Sequence, residues 1–305
     1  MKVSIIMAAY NRSNVLRYAV QSILRSTFSD WELLVIGDAC TDDTEEVVAS
    51  FHDPRISFYN MPENCGEQTG PNNEGLRRAQ GEYVAYLNQD DMWLPEHLQT
   101  LVDTIEQHHA DGAFGAGAVF LKENEIQLNG VIRGDVYSPW EGAAVVGSLW
   151  LIKRAVLLEI GGWRFSKDIV IPPSQDVLLR LWKKGKRLVS TSRITAVLIH
   201  AGYYPKAYSD RLESLHKEIF DRMHRSNDFR HELYHSIALT YERKRLAESL
   251  AVRYAVKKLL LVFAKTIGRL FHTTPTEVNF FIRYRKKGEF LQQLRKSEGL
   301  TPLKK

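Results

Sequence analysis

Two adjacent acidic residues, Asp90 and Asp91, follow the apolar stretch 83–87, which has the composition of a buried strand. Neighbouring carboxylates at such a position repel each other and are costly to desolvate unless a positive group lies beside them. Hard divalent cations such as Mg²⁺ and Mn²⁺ take oxygen ligands, often one or two carboxylates together with substrate phosphates. The pair therefore predicts a divalent-cation site. The alternative is a pair of helix N-caps before Leu94 and Pro95.

Two further polar groups follow apolar stretches in the same way. The segment 10–12 (Tyr-Asn-Arg) comes after the run 3–9, and Asp38 comes after the run 31–37. If these runs are parallel strands, their carboxyl ends meet at one edge of a sheet, which is where ligands bind in such folds. We therefore expect the three polar groups to form one site.

The stretches between these residues alternate between β-rich runs and amphipathic runs with helical spacing. Alternation with short connections predicts an α/β fold with a parallel, doubly wound sheet. The pattern predicts strands at 3–9, 31–37, 55–61 and 82–88, and helices at 14–26, 41–51 and 71–80. Further along it predicts helices at 94–108 and 175–184, hairpins and loops over 113–152, a tight turn at 161–163, a last strand at 197–200 and helices beyond 208.

The composition is that of a water-soluble globular protein. The chain has 305 residues, of which 44% are apolar and 25% are charged. Its longest apolar stretches fall short of the roughly 20 residues that a membrane-spanning helix needs, and residues 1–13 lack the pattern of a secretory signal. Cys40 and Cys65 have no metal-site or disulfide-framework spacing. We therefore expect a cytoplasmic protein of one or two domains.

The positive charge is concentrated at the C-terminal end. Residues 250–305 contain 13 Lys or Arg and 3 Asp or Glu, although the whole chain carries only +5. Within 251–271, apolar residues recur at helical spacing and basic residues occupy the other side, which is typical of an amphipathic helix on an anionic membrane surface. The alternative is a helix that packs on the preceding domain and leaves its basic face in solvent. No nucleic-acid recognition motif accompanies the basic residues, so we expect no nucleic-acid partner.

Four segments carry a resemblance to a known family: VSIIMAAYNR, VIGDACTDDT, ENCG and NNEGLRRAQGEYVAYLNQDD. In this order and spacing they resemble the family 2 glycosyltransferases of the GT-A fold. The match is specific over 3–95 and continues more weakly to about residue 200. It implies a catalytic domain at 1–207, with a nucleotide-binding half (1–95) and an acceptor-binding half (96–207), followed by a helical, basic region at 208–305.

The resemblance also implies roles for individual residues. Asp38 matches the acid that hydrogen-bonds the nucleobase or ribose, Asp90 the acid near the ribose, and Asp91 the direct ligand of Mn²⁺ or Mg²⁺. His200 is a weaker match to a second metal ligand, and the alternative is a half-buried histidine with its own partners. The full set of implied nucleotide contacts is Ala8, Ala9, Tyr10, Arg12, Asp38, Asn72 and Asp90.

On the acceptor side, Asp176 matches the catalytic base, and Gln175 and Trp163 are expected near the acceptor, the latter by stacking on a sugar ring. Each role has a structural alternative. Asp176 suits the first turn of a helix, Trp163 suits the core, and Asp38 suits the cap of the helix that begins near Thr41.

Five positions depart from the family pattern, although none of them removes a metal acid or the base. Ala8 stands where Pro is usual, Gly37 and Asn88 stand where Asp is usual, Asn72 replaces an Arg, and Gln175 replaces a Glu. The loss of the Arg puts the choice of donor in doubt.

The implied reaction is inverting transfer of a sugar from a nucleotide-diphosphate donor, a UDP-sugar, to a hydroxyl of a glycan or lipid-linked glycan in surface polysaccharide synthesis. The enzyme would work in the cytoplasm or on the inner face of the membrane. One alternative is a sugar-phosphate nucleotidyltransferase, but residues 7–14 lack the Gly-rich and basic phosphate loop of that class. Another is an inactive partner subunit, which Asn72 and Asn88 leave open and the retained acids oppose.

Overall fold

The computed structural model of the chain describes most of the residues in the two halves of the predicted catalytic domain and much of the C-terminal region. Two of the sequence predictions, His200 as a metal ligand and 251–271 as an amphipathic helix, lie outside the described residues. The described residues are 1–122, 125–132, 134–141, 144–199, 210–225, 228–249, 273–284 and 286–297.

The first half has the predicted alternation of strands and helices. Its four strands lie side by side in the order β3-β2-β1-β4, and all of their pairings are parallel. Helices cover both faces, so β1 and β2 are almost entirely buried and consist of continuous apolar runs. The elements are β1 (Val3–Ala9), α1 (Ser13–Leu24), β2 (Trp31–Gly37), α2 (Thr44–Ala49), β3 (Ile56–Asn60), α3 (Thr69–Arg78) and β4 (Tyr83–Tyr86).

The second half extends the same sheet with mixed pairings. The described residues form nine strands, and the order continues from β4 through β8, β6 and β9 to β5, while β7 pairs with β6. Of these pairings, β6 with β9 is parallel and the others are antiparallel. The elements are β5 (Met92–Trp93), α4 (His97–His108), β6 (Gly112–Lys122), β7 (Glu125–Asn129), β8 (Trp150–Lys153), α5 (Arg154–Glu159), α6 (Pro173–Lys183) and β9 (Leu188–Ile199).

Two local predictions in this half were wrong. The helix predicted from Leu94 begins at His97, because Met92 and Trp93 form a short strand that pairs with Val197 and Ala196. The last strand starts at Leu188 rather than at residue 197. The N-cap alternative for Asp90 and Asp91 is thereby excluded, since the N-cap of α4 is Glu96.

The described residues of the C-terminal region form four helices: α7 (Asp210–Arg225), α8 (Phe229–Ser249), α9 (Pro275–Arg283) and α10 (Glu289–Ser297). The first of them packs on α1, where Ile219 and Phe220 share an apolar cluster with Tyr18. Within the described residues, no helix combines the length and the apolar character that a membrane crossing requires. The fold therefore brings parts of the C-terminal region onto the sheet-containing domain.

Candidate active site

The turns after β1 and β4 are joined by an ion pair. Arg12 donates from Nη1 to Oδ2 of Asp90 at 2.9 Å, and its side chain is only 7% exposed. Gln89 adds a second link, because its Oε1 accepts from the backbone N–H of Tyr10 at 3.0 Å. The two turns meet because β1 and β4 are parallel neighbours. The predicted convergence of the polar groups after these strands is therefore observed.

Asp91 is almost completely buried, with 4% of its surface exposed. Its Oδ2 accepts from Ser148 Oγ at 2.6 Å and from Asn88 Nδ2 at 2.9 Å, and its Oδ1 accepts from the backbone N–H of Ile199 at 3.2 Å. Burial, and then the charge of Asp90, raise the pKa of the Asp91 carboxyl despite these three donors. The negative charge of Asp91 is thus disfavoured, and a bound cation would offset that cost.

The donor set at these two acids fits Mg²⁺ or Mn²⁺. Asp91 Oδ1 accepts one described hydrogen bond and keeps a lone pair, and Asp90 supplies a second carboxylate. Both ligands are oxygen, as hard cations prefer, and such ions often take only one or two protein carboxylates. In the described part of the chain, no group of three or more His, Cys, Asp or Glu residues comes together around a cation-sized space. The metal role of Asp91 therefore stays a prediction.

A histidine from α7 supports the same turn. His216 is buried, and its Nε2 donates to the backbone carbonyl of Asp90 at 2.9 Å. Its ring lies 6.4 Å from that of Tyr18, in a stacked arrangement. The sequence analysis missed this residue, because the contact joins positions 126 residues apart and no local pattern marks it.

The first turn and the strand end beside it adopt unusual backbone conformations. Asn11 and Ala39 are both left-handed, with φ of 44° and 55°. Ala8 and Ala9, the first two implied nucleotide contacts, are the last residues of β1, as the predicted strand 3–9 requires, and they pair with β2. The carbonyl of Ala9 accepts a backbone hydrogen bond from Asp38 at 2.8 Å, so the turn begins after Ala9.

Asp38 holds the loop that follows β3. Its two carboxylate oxygens accept from the backbone N–H groups of Cys65, at 2.6 Å, and Gly66, at 3.0 Å. Burial raises the pKa of Asp38, and these two hydrogen bonds oppose the rise. The capping alternative is excluded, since α2 begins at Thr44 with Asp43 as its N-cap. The acid therefore fixes the loop whose ENCG motif carried part of the resemblance.

An arginine from the last described helix reaches the same loop. Arg295, on α10, donates from Nη1 to the carbonyl of Gly66. Its positive charge also lowers the pKa of Asp38, although burial outweighs this effect. Sequence reasoning missed Arg295, because the contact spans 229 residues and the residue lies in a region that the resemblance does not cover.

Helix α3 carries two consecutive asparagines with different surroundings. Asn72, predicted to contact the nucleotide, is buried within the helix. Asn73 forms two hydrogen bonds with the backbone of Trp163: its Oδ1 accepts from the Trp163 N–H at 2.8 Å, and its Nδ2 donates to the Trp163 carbonyl at 2.9 Å. Glu67 adds a nearby link by accepting from Ser166 Oγ at 2.6 Å. The loop before α3 and the turn after α5 are therefore tied together.

Two predicted acceptor contacts are corrected. Trp163 is 3% exposed, with its ring stacked on Trp150 at 5.4 Å and set edge-on to Tyr86 at 5.0 Å. No face of the ring is left for a sugar, so Trp163 is a core residue. Gln175 is also buried, and its Nε2 donates to the carbonyl of Val145 at 3.1 Å, so its amide is used within the protein.

Asp176 lies in the first turn of α6, as its structural alternative states, and also borders a cavity. Its Oδ2 accepts from Arg180 Nε at 2.7 Å, while Oδ1 lies 3.9 Å from Arg164 Nη1. Arg180 in turn donates to the carbonyls of Ile160 and Gly162, both at 2.6 Å. The carboxylate is thus 5% exposed, bonded to one arginine through Oδ2 and within 3.9 Å of a second through Oδ1.

Comparison with known proteins decides the family. Residues 4–161, more than half of the chain, match the sequence model of the family described as Glycosyl transferase family 2. The chain belongs to glycosyl transferase family 2. The resemblance found in its sequence motifs is confirmed.

Among relatives of this family 2 chain, an Escherichia coli protein named UDP-Glc:alpha-D-GlcNAc-diphosphoundecaprenol beta-1,3-glucosyltransferase WfaP is 30% identical over 204 residues, 66% of this chain and 78% of the relative. The Escherichia coli enzyme WfgD, which carries the same activity name, is 32% identical over 113 residues, 37% of this chain. The putative colanic acid biosynthesis glycosyl transferase WcaA of Escherichia coli is 31% identical over 140 residues, 45% of this chain. The matches span only 44% of WfgD and 45% of WcaA.

Solved structures show the same fold at low sequence identity. TarS 1–349 of S. aureus in complex with UDP-GlcNAc superimposes with a TM-score of 0.59 at 16% identity, over 73% of this chain and 70% of that one. The mannosyltransferase PcManGT of Pyrobaculum calidifontis, in complex with GDP-Man and Mn²⁺, gives 0.53 at 15% identity, over 89% and 87%. The predicted GT-A fold, an α/β architecture with added C-terminal helices, is confirmed.

Proposed function

We propose that this family 2 chain is an inverting, metal-dependent glycosyltransferase. It transfers a sugar from a nucleotide-diphosphate donor, a UDP-sugar, to a hydroxyl of a glycan or lipid-linked glycan in surface polysaccharide synthesis. The observation that carries the proposal is the convergence of Arg12, Asp38, Asp90 and Asp91 at the carboxyl edge of the parallel strands. Relatives named for transfer from UDP-Glc and a neighbour solved with UDP support the donor class.

The donor would lie across the ends of β1, β2 and β4. The turn at 10–12, the loop held by Asp38 and the carboxylate of Asp90 face the nucleoside in this proposal, and Asp91 with Asp90 holds the cation. A cation bound there would neutralise charge on the departing diphosphate. The ion pair with Arg12 holds Asp90 in position, so that the two acids do not have to move when the donor binds.

On the acceptor side, Asp176 acts as the general base. Its Oδ2 is occupied by Arg180, and Oδ1 takes the proton from the acceptor hydroxyl. The acceptor oxygen bonds to the anomeric carbon from the face opposite the diphosphate, and the bond to the nucleoside diphosphate breaks. A base of this kind contributes about 10²–10⁴-fold to the rate.

The domain boundaries follow the same proposal: a catalytic domain at 1–207 and a helical region at 208–305. We propose that the basic segment 251–271 brings the enzyme to the cytoplasmic face of an anionic membrane, where lipid-linked acceptors lie.

The alternative of an inactive partner subunit is opposed by Asn88. This departure from the family pattern donates to Asp91 and so keeps that acid in place.

The test is nucleoside diphosphate release from a panel of UDP- and GDP-sugars with Mn²⁺, measured with and without acceptor glycans. We expect the wild type to use a UDP-sugar, and Asp176→Asn to lose at least 100-fold in transfer while it binds UDP normally. Asp103→Asn, an exposed acid on α4, serves as the matched control and should match the wild type. If Asp176→Asn transfers sugar at the wild-type rate, Asp176 is not the general base. If the wild type binds the donor but does not turn it over, the inactive partner subunit becomes the better account.

A further inference from the structure

A cavity of about 670 Å³ lies between residues 164–183, called the catalytic half below, and the C-terminal helix α9, with Asp176 on its wall. We propose that this cavity holds an amphiphilic acceptor, in which a phosphate-type anionic linker joins the sugar to an apolar chain, and that α9 is the wall for that chain. The inference rests on the proposed role of Asp176, because the acceptor hydroxyl must reach that carboxylate. It adds the place where the linker and chain of a lipid-linked acceptor bind, and a function for α9.

Two separate parts of the chain build the cavity. Its volume falls within the range of about 300–1,000 Å³ that is usual for small-molecule sites. The catalytic half supplies Arg164, Asp168, Ile169, Val170, Ile171, Asp176, Leu179, Arg180 and Lys183, and the C-terminal region supplies Thr273, Glu277, Val278, Phe281 and Lys287. Because Asp176 is one of the lining residues, a ligand in this space lies next to the proposed base.

The surface of the cavity is largely apolar and includes a large aromatic side chain in contact with water. Ile169, Ile171 and Leu179 are nearly buried on the catalytic side. Opposite them, Phe281 of α9 is 61% exposed. An exposed aromatic ring beside an apolar cavity is typical of a surface that buries apolar ligand atoms. A sugar can stack on the aromatic ring, but burial against Ile169, Ile171 and Leu179 as well requires an apolar chain attached to the sugar.

The charges around the cavity fit an anion between the sugar and the chain. Four basic and three acidic side chains line it. Arg180 is engaged with Asp176, and Lys183 donates to Glu277 at 3.1 Å. The guanidinium of Arg164 lies 3.9 Å from Asp176 Oδ1 but is 57% exposed, and Lys287 is exposed as well. Both cations line the cavity that Asp176 lines, where phosphate oxygens can reach them.

Helix α9 is held at both ends, so the wall that it provides is a fixed part of the cavity. A capping box starts the helix: Thr274 and Glu277 exchange hydrogen bonds between side chain and backbone. Glu277 also binds Lys183 of α6. Beyond the helix, the N–H of Gly288 donates to the carbonyl of Ile169 at 3.1 Å. Both ends of α9 are therefore attached to the catalytic half.

The test is a binding titration of the full chain with its donor site saturated by UDP and Mn²⁺, so that diphosphate probes cannot occupy that site. The probes are decyl diphosphate, inorganic diphosphate and decyl glucoside, each below its micelle concentration. We expect decyl diphosphate to bind at least 10-fold more tightly than inorganic diphosphate. Phe281→Ser should abolish this advantage, and Lys287→Ala should weaken both diphosphates but not the glucoside. Tyr234→Ser, an exposed aromatic on α8, is the matched control and should change nothing.

The outcomes separate this inference from the proposed function. If the wild type binds UDP but shows no preference for the decyl chain, or if Phe281→Ser keeps the preference, the inference is overturned and the donor site is unaffected. If the wild type fails to bind UDP at all, the proposed function itself has failed. Phe281→Leu should restore most of the chain preference, which distinguishes lost apolar contact from misfolding.

Discussion

Arg12 and Asp90 form a largely buried ion pair, with 2.9 Å between Nη1 and Oδ2, that joins the turns after β1 and β4. The pair places one positive charge against two adjacent acids. Among the described residues Asp91 has no ion-pair partner of its own, and burial beside Asp90 raises the pKa of its carboxyl. This arrangement explains why neighbouring carboxylates are tolerated at a strand end, and it leaves the site ready to bind a cation.

Arg12→Gln should destabilise the protein, because it leaves Asp90 beside Asp91 without its partner. Removal of one member of a buried pair costs about 3–5 kcal/mol, and the partial exposure of Asp90 lowers our expectation to roughly 2–3 kcal/mol. Urea unfolding without metal measures the change. In the matched control, Arg222→Gln breaks an exposed pair with Glu232 and should cost less than about 1 kcal/mol. Equal losses in the two variants would contradict this account.

Burial of His97 should make the protein less stable in mild acid. The side chain is stacked on Trp93 and bonded to Thr195, and burial lowers the pKa of His97 to about 3. Below pH 6.5 the unfolded chain therefore binds a proton that the folded chain does not, so stability falls as the pH falls. Between pH 6.5 and 5.0 this residue alone should remove about 1.5 kcal/mol.

Urea unfolding at both pH values, compared between the wild type and His97→Phe, isolates this effect. The variant should lose less stability on acidification, whatever its stability at pH 6.5. Identical pH dependence in the two proteins would mean that His97 accepts a proton in the folded state.

Asn73 should be a structural residue that joins α3 to the turn after α5. Asn73→Ala removes both hydrogen bonds to the Trp163 backbone, which we expect to cost about 2 kcal/mol. Asn73→Asp keeps the acceptor oxygen but sets a second carboxylate oxygen against the Trp163 carbonyl, so it should be no more stable than the alanine variant. Thermal unfolding of the three proteins gives the order. An alanine variant as stable as the wild type would show that these two hydrogen bonds contribute nothing.

Arg295 should support nucleotide binding through the loop that Asp38 holds. Loss of its hydrogen bond to Gly66 leaves that loop less firmly held before UDP binds. A charged hydrogen bond contributes about 1.5 kcal/mol, which corresponds to a roughly tenfold change in the Kd for UDP. We therefore expect Arg295→Ala to raise the Kd for UDP about tenfold. Lys296→Ala, its exposed neighbour on α10, should leave the Kd unchanged. Equal Kd values in the two variants would mean that the hydrogen bond between Arg295 and Gly66 does not contribute to UDP binding.

The parallel half of the fold could be predicted from the sequence because its signals are local. Each strand is a short apolar run, each helix has its own spacing, and polar residues follow β1, β2 and β4 directly. Parallel strands bring those ends together, so the approach of Arg12 to Asp90 followed from the order of elements alone.

The remaining features depend on contacts that no local pattern records. The first part of β9 was missed because it contains Ser190 and Thr195, which are buried polar residues, and Thr195 is paired with His97 from α4. The C-terminal helices bring His216 and Arg295 to the site from regions whose sequence shows only helical spacing. The expected stacking of Trp163 on a sugar was wrong, because the sequence around a tryptophan that follows a glycine turn looks the same whether the side chain is buried or exposed.

The central claim is that Asp91 holds a divalent cation on which a nucleoside diphosphate binds. Calorimetric titration of UDP into the wild type and Asp91→Asn, with and without Mn²⁺, tests it most directly. We expect the wild type to bind at least 10-fold more tightly with Mn²⁺, and Asp91→Asn, which retains the fold, to bind weakly whether or not Mn²⁺ is present. Tight binding of UDP without Mn²⁺, or an unchanged Mn²⁺ effect in Asp91→Asn, would contradict the claim.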